Sequence, residues 1–128
     1  MNEILNQTIV NVKLTNDKEF LTFYTHTHWF QYYANGDCCS TSWIEHMDDF
    51  IYPFTVSEVE EKNITVIQEC GFDLKTDTYN DEIKQYFYEL KTDKGSFTIE
   101  MRNESNGYYG GGLEFLKSGE NNQCSTSY

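Results

Sequence analysis

The feature that most constrains the fold is a strict two-residue period in the C-terminal half. From Ser96 to Arg102, Phe97, Ile99 and Met101 alternate with Thr98, Glu100 and Arg102. A strand sends successive side chains to opposite faces, so this pattern demands a strand with one apolar and one polar face. Asp93-Lys94-Gly95 precedes it as a tight turn, with glycine where φ is positive. Ile83 to Thr92, before that turn, reads as an aromatic strand. Asn106-Gly107 marks a second tight turn, and Tyr108 to Leu116 reads as the returning strand. Gly110 to Gly112 fall inside it, where glycine marks a bulge or a close backbone approach.

The N-terminal half carries the same signals less cleanly. Val10, Val12 and Leu14 alternate with Asn11, Lys13 and Thr15, so Thr8 to Thr15 reads as a half-buried strand. Asn16 to Glu19 is a turn, Phe20 to Thr25 a second strand, and His28 to Ala34 an aromatic third, ended by Asn35-Gly36-Asp37. Ser42 and Glu45 fit a helical capping box, with Trp43, Met47 and Phe50 at helical spacing, so Ser42 to Phe50 is expected as one short helix or helical turn, the alternative being a short strand with a loop. Phe54 to Glu60 and Ile64 to Cys70 read as strands, and Asp73 to Asp81 as a polar loop. Aromatics at 16% suit pleated, half-buried surfaces. The expectation is a mainly β fold, an antiparallel sheet forming a sandwich or open barrel with that one short helix. Residues 1–116 form one β-rich domain and 117–128 a flexible tail.

Charge narrows the partners. The chain holds 9 basic and 21 acidic residues, for a formal net charge of −12. From Glu19 to Glu61 there is no Lys or Arg, while Glu19, Asp37, Glu45, Asp48, Asp49, Glu58, Glu60 and Glu61 fall in that stretch. Such a surface repels phosphate backbones and anionic membranes, so direct nucleic-acid and membrane binding are disfavoured. It favours a basic protein partner, although acidity also serves solubility. With neither a leader nor a spanning apolar run, the chain is expected in the cytoplasm, where Cys38, Cys39, Cys70 and Cys124 stay reduced.

Two blocks concentrate the chemistry: Gly36-Asp37-Cys38-Cys39-Ser40-Thr41-Ser42-Trp43-Ile44-Glu45-His46, and Arg102-Asn103-Glu104-Ser105-Asn106-Gly107-Tyr108-Tyr109-Gly110-Gly111-Gly112. A nucleophilic Cys38 needs a base, and His46 is near in sequence, with Asp37 or Glu45 to orient the imidazole. The competing reading is a turn with buried thiols. Cys38, Cys39, Glu45 and His46 include zinc-ligand types, but adjacent cysteines point poorly at one ion. His26 and His28 share a strand face, as ligands or as a solvated pair. Gly110 to Gly112 lack the Lys-Ser or Lys-Thr of a phosphate loop. Arg102, the only arginine, is expected to pair with a carboxylate. No cofactor and no metal are assigned. Asp37, Cys38, Cys39, His46, Arg102, Asn103 and Asn106 stand as motif residues without a role.

Tyr and Trp are frequent at binding hot spots and equally at the rim of a core. Trp43, Glu45, Asp48, Asp49, Glu58, Glu60, Glu61, Tyr108 and Tyr109 are therefore the candidate partner-binding set. The Gly-Asp-Cys-Cys-Ser turn and the later Asn-Gly-Tyr-Tyr-Gly-Gly hairpin resemble a family of small uncharacterised phage and bacterial proteins, over most of the chain. That resemblance implies a phage or prophage context and supplies no catalytic residues. The leading expectation is a non-enzymatic protein that inhibits or modulates a host protein through an acidic, aromatic surface. One alternative is a binder of a signalling nucleotide, with aromatics stacking the base and the Asn103 to Gly112 turn offering backbone donors. Another is a cysteine enzyme or metalloprotein built on Cys38, Cys39 and His46.

Overall fold

The C-terminal hairpin is the spine of the larger sheet. The computed structural model describes residues 1–37, 40–106 and 110–121. After a 3-10 turn at Asn2–Ile4 come β1 (Thr8–Ile9), β2 (Asn11–Leu14), β3 (Phe20–Tyr24), β4 (His28–Gly36), β5 (Thr41–Met47) and β6 (Phe54–Glu61). They are followed by β7 (Thr65–Gln68), β8 (Gly71–Asp73), β9 (Thr78–Asn80), β10 (Glu82–Thr92), β11 (Gly95–Ser105) and β12 (Gly111–Glu120). The larger sheet has the order β1-β6-β10-β11-β5, with β7 pairing further along β10; the smaller has the order β12-β4-β3-β2. All pairings are antiparallel. The mainly β sandwich expected from the sequence is the architecture found.

Alternation builds the core. Phe97, Ile99 and Met101 of β11 are buried, as their period requires, alongside Tyr86, Tyr88 and Leu90 of β10. From the smaller sheet Leu21, Phe23, Tyr32, Ala34 and Leu113 face them. The first strand of the sequence divides: β1 joins β6 while β2 joins β3, so the chain changes sheets at Val10.

Three expectations are corrected. Ser42 to Phe50 is not a helix; β5 runs from Thr41 to Met47 against β11. The reason is a bulge: Ile44 pairs with Met101 and Met47 with Ile99, leaving Glu45 as the extra residue. Trp43 and Met47, which would share one face of a helix, therefore fall on opposite faces of β5. Asp73 to Asp81 is not all loop, because β8 and β9 form a small hairpin there. Nor do residues 117–120 belong to a flexible tail. They pair with 28–31 of β4, and Asn121 donates its backbone N–H to Thr27 O at 2.7 Å. A bulge between Phe115 and Lys117 breaks the alternation that would have announced the strand. The rest of that predicted tail, 122–128, lies outside the described residues. No described helix is long and apolar enough to cross a membrane.

Candidate functional site: a polar seam and its surroundings

The two chemically dense blocks meet in space. On β10 and β11 the inward side chains run Leu90, Tyr88, Tyr86, Lys84, Glu82 and Phe97, Ile99, Met101, Asn103, Ser105, in matched register. The lining thus turns from apolar to polar at one end of the sandwich. There the end of β4, the start of β5, the end of β11 and the start of β12 converge.

Asn103 is the hub. It is 0% exposed, and its Nδ2 donates to Ser42 Oγ at 2.8 Å and to Ser40 Oγ at 3.1 Å. Ser42 Oγ–H in turn donates to Asn35 O at 2.9 Å, and Ser40 Oγ–H to Asp37 O at 2.7 Å. Asp37 N–H donates to Gly110 O at 2.9 Å, while Gly110 N–H donates to Asp37 Oδ2 at 3.1 Å. Tyr86 OH accepts Gly111 N–H at 3.0 Å, and Tyr88 OH accepts Leu113 N–H at 2.8 Å. The two tyrosines of β10 thereby take the free edge of β12 where no strand does. Burial pushes the Tyr88 hydroxyl up to about 12. A Cβ on Gly111 would sit 2.3 Å from Asn35 O and 2.4 Å from Ser42 Oγ, so only glycine fits there. Among the described residues, buried Asn103 Oδ1 has no hydrogen-bond partner. Glu82 Oε1 faces the Lys84 ammonium at 3.3 Å.

This arrangement spends its polar groups on joining the sheets. Asp37, Ser40, Ser42 and Asn103 are hydrogen-bonded to one another and to backbone. His46 is 68% exposed on β5 and faces Asp48 at 3.8 Å. His26 and His28 are exposed at the β3–β4 turn, where His28 Nδ1 meets Thr27 Oγ1 at 2.8 Å. No described histidine enters the seam. Cys38, Cys39, Tyr108 and Tyr109 lie outside the described residues. Asn106 closes β11 at a bend. Among the described residues no three His, Cys, Asp or Glu side chains are grouped as metal ligands.

Of the predicted partner-binding residues that are described, Trp43, Glu58 and Glu60 lie on the outer face of the larger sheet, Glu45 at the β5 bulge, and Asp48 and Asp49 just after β5, while Glu61 falls in register with inward Tyr88; most of them are already engaged. Trp43 Nε1 donates to Glu45 Oε1 at 2.9 Å, and Glu45 lies 3.9 Å from Arg102 Nη1. Arg102 Nε donates to Glu100 Oε2 at 2.7 Å, the carboxylate partner its sequence context suggests. Burial works against ionised Glu100, but hydrogen bonds from Gln85 and Arg102 outweigh it and hold the carboxyl below its ordinary value. Asp48 Oδ2 accepts Thr98 N–H at 2.8 Å and anchors the chain after β5, while Asp49 is exposed. Glu60 meets Lys62 at 3.2 Å and Lys91 at 3.4 Å, and Glu58 meets Lys91 at 3.6 Å. The stretch without bases in sequence is therefore not without bases in space.

Two regions escaped sequence reasoning. Beside the seam, Asp37, Glu61, Glu114, Lys62, Tyr86 and Tyr88 help line an open cleft of about 540 Å³. From its lip extends an arm, residues 62–81, whose described side chains are all exposed. Ile64, Val66, Ile67, Phe72, Leu74 and Tyr79 are among the large apolar side chains left in water. Leu74 is 86% and Tyr79 81% exposed. The available signal was apolar residues inside a segment otherwise composed like a loop.

No curated protein and no solved structure matches this chain. Residues 2–115, which span both chemically dense blocks, match the family described as Domain of unknown function (DUF7448), and the chain belongs to that family.

Proposed function

We propose that the chain acts by binding another protein rather than by catalysis, through the 62–81 arm and the acidic cleft at its root. The observation that carries this reading is the arm itself, with Ile64, Val66, Ile67, Phe72, Leu74 and Tyr79 all exposed. They are divided between β7 and the β8–β9 hairpin, and exposed apolar side chains gathered in one segment mark an interaction surface. Exposed Glu61, Glu69, Asp77 and Asp81 flank them, so the complementary partner is apolar at its centre and basic around it. This moves the acidic, aromatic surface away from Trp43 and Asp48, on the far edge of the larger sheet, and keeps Glu61. In the phage or prophage setting implied by the resemblance, the partner is a host protein, with defence components among the candidates. Binding would inhibit or modulate it in the host cytoplasm.

The test is capture from host lysate with the wild-type chain and the Leu74→Ser/Tyr79→Ser variant side by side. A protein retained near stoichiometry by the wild type and lost by the variant supports the reading. A protein retained equally by both, or none retained by either, refutes it.

A further inference from the structure

The outer face of the smaller sheet carries a different set of groups. Strand register lays them in two rows: Asn11, Tyr24, Trp29 and Gly119, then Lys13, Thr22, Gln31 and Lys117. Thr22, Tyr24, Trp29, Gln31 and Lys117 line a notch of about 260 Å³. Gly119 is what lets the indole lie down. A Cβ there would stand 2.6 Å from Trp29 Cζ2 and 2.8 Å from Cε2, so the ring rests on the bare backbone of β12.

The charge of this face departs from that of the molecule. Among the described residues no carboxylate lines the notch. Of the other cations, Lys62, Lys84, Lys91 and Arg102 are in ion pairs, while Lys18 and Lys94 sit in exposed turns away from any aromatic floor. Lys117 has no ion pair among the described residues, and Lys13 sits 5.5 Å from the Tyr24 ring centroid in a cation–π contact. Two cations left unneutralised beside an aromatic floor are unexpected in a chain of net charge −12.

We propose that this notch binds a mononucleotide, with the base stacked on Trp29 and Tyr24 and the phosphate held by Lys117. Stacking on an aromatic platform accepts any base, because every base has a π face. Gln31 and Thr22 offer donors and acceptors at the base or sugar edge. Neighbouring rows on one sheet face are about 7 Å apart, comparable to the span from a base to its own 5′-phosphate. The acidity of the remaining surface restricts the occupant to one nucleotide, since a long polyanion would be repelled beyond the notch. The site is remote in topology from the Asn103 to Gly112 turn and independent of the arm, so either proposal can fail alone.

The experiment is a fluorescence titration of the full chain carrying Trp43→Phe, which leaves Trp29 as its only indole. Adenosine monophosphate is expected to quench it saturably, with a Kd in the micromolar to millimolar range. Lys117→Gln should raise that Kd about tenfold, the effect of losing one charge-assisted hydrogen bond. Gly119→Ala should abolish quenching with an unchanged far-ultraviolet dichroism spectrum. If that variant does not fold, Lys117→Gln decides. Absence of saturable quenching, or an unchanged Kd in Lys117→Gln, overturns the proposal. So does tighter binding of a neutral disaccharide or of a short oligonucleotide than of the mononucleotide.

Discussion

Asp37 and Gly110 hold each other twice. The backbone N–H of Asp37 donates to the Gly110 carbonyl at 2.9 Å, and the Gly110 N–H returns to Asp37 Oδ2 at 3.1 Å. This pair closes β4 onto β12 at the end where the core becomes polar, and Asn103 ties the same corner to β5 through Ser40 and Ser42. A motif of hydroxyls and carboxylates that resembles reactive chemistry in sequence is thus consumed in joining two sheets.

Asn103→Ala should therefore be costly although it touches no proposed ligand. The substitution removes both Nδ2 bonds from a fully buried position and leaves two seryl oxygens without their donor. The expected loss is about 2 kcal/mol, read as a lower denaturant midpoint at unchanged slope.

Gly111 and Gly112 should separate sharply despite being neighbours. A Cβ on Gly111 meets Asn35 O at 2.3 Å and Ser42 Oγ at 2.4 Å, whereas on Gly112 its nearest contact is Tyr88 OH at 3.7 Å. Gly111→Ala should cost about 3 kcal/mol or prevent folding, and Gly112→Ala under about 1 kcal/mol, by thermal and denaturant unfolding.

How much of this was legible in the sequence depends on where the signal sits. The β10–β11 hairpin declared itself because its alternation is unbroken and its turn carries Gly95 at φ +106°. β5 did not, because the bulge at Glu45 interrupts its alternation, and Trp43, Met47 and Phe50 have a spacing a helix also uses. The meeting of Asp37 with Gly110 was invisible for another reason. It joins residues far apart in the chain, and only the sheet order fixes it. The pairing of Glu58 and Glu60 with Lys91 and Lys62 escaped similarly, so a charge count along the chain overstated the free acidity of that face. In the arm the strand over Ile64 to Cys70 was legible as β7, but the exposure of its apolar side chains and the β8–β9 hairpin beyond it were not, because hydrophobic patterning assigns apolar side chains to a core.

The arm should tolerate substitution. Leu74 and Tyr79 make no use of the core, so Leu74→Ser/Tyr79→Ser should change stability by less than about 0.5 kcal/mol. The same variant should bind less of a hydrophobic dye than the wild type. A large loss of stability would mean that the β8–β9 hairpin, and not only β7, packs on the domain.

Acid should weaken the outer face of the larger sheet. Hydrogen bonds from Lys62 and Lys91 lower Glu60, and those from Gln85 and Arg102 lower Glu100, each below an ordinary value of 4.5. A carboxyl lowered in the folded state contributes stability above its unfolded value and loses it as pH falls through the folded one. Denaturant midpoints should therefore drop as pH falls below the unfolded value of 4.5, and Glu100→Gln should make that drop shallower.

The edge of β12 makes the last case. Gly111 and Leu113 present backbone N–H groups away from β4, and the hydroxyls of Tyr86 and Tyr88 accept them in place of a neighbouring strand. Tyr88→Phe keeps the ring in the core but leaves the Leu113 N–H without an acceptor. An unmet buried donor costs about 1–3 kcal/mol, and the Leu113 amide should lose protection from hydrogen exchange. A pH signature separates this from simple repacking. Burial pushes Tyr88 up to about 12 from 10.0, so the unfolded chain ionises first. Wild-type stability should then fall as pH rises above that unfolded value, and Tyr88→Phe should remove that part of the slope. If the slope persists in the variant, another tyrosine carries it; Tyr32, also raised by burial, is the next to replace.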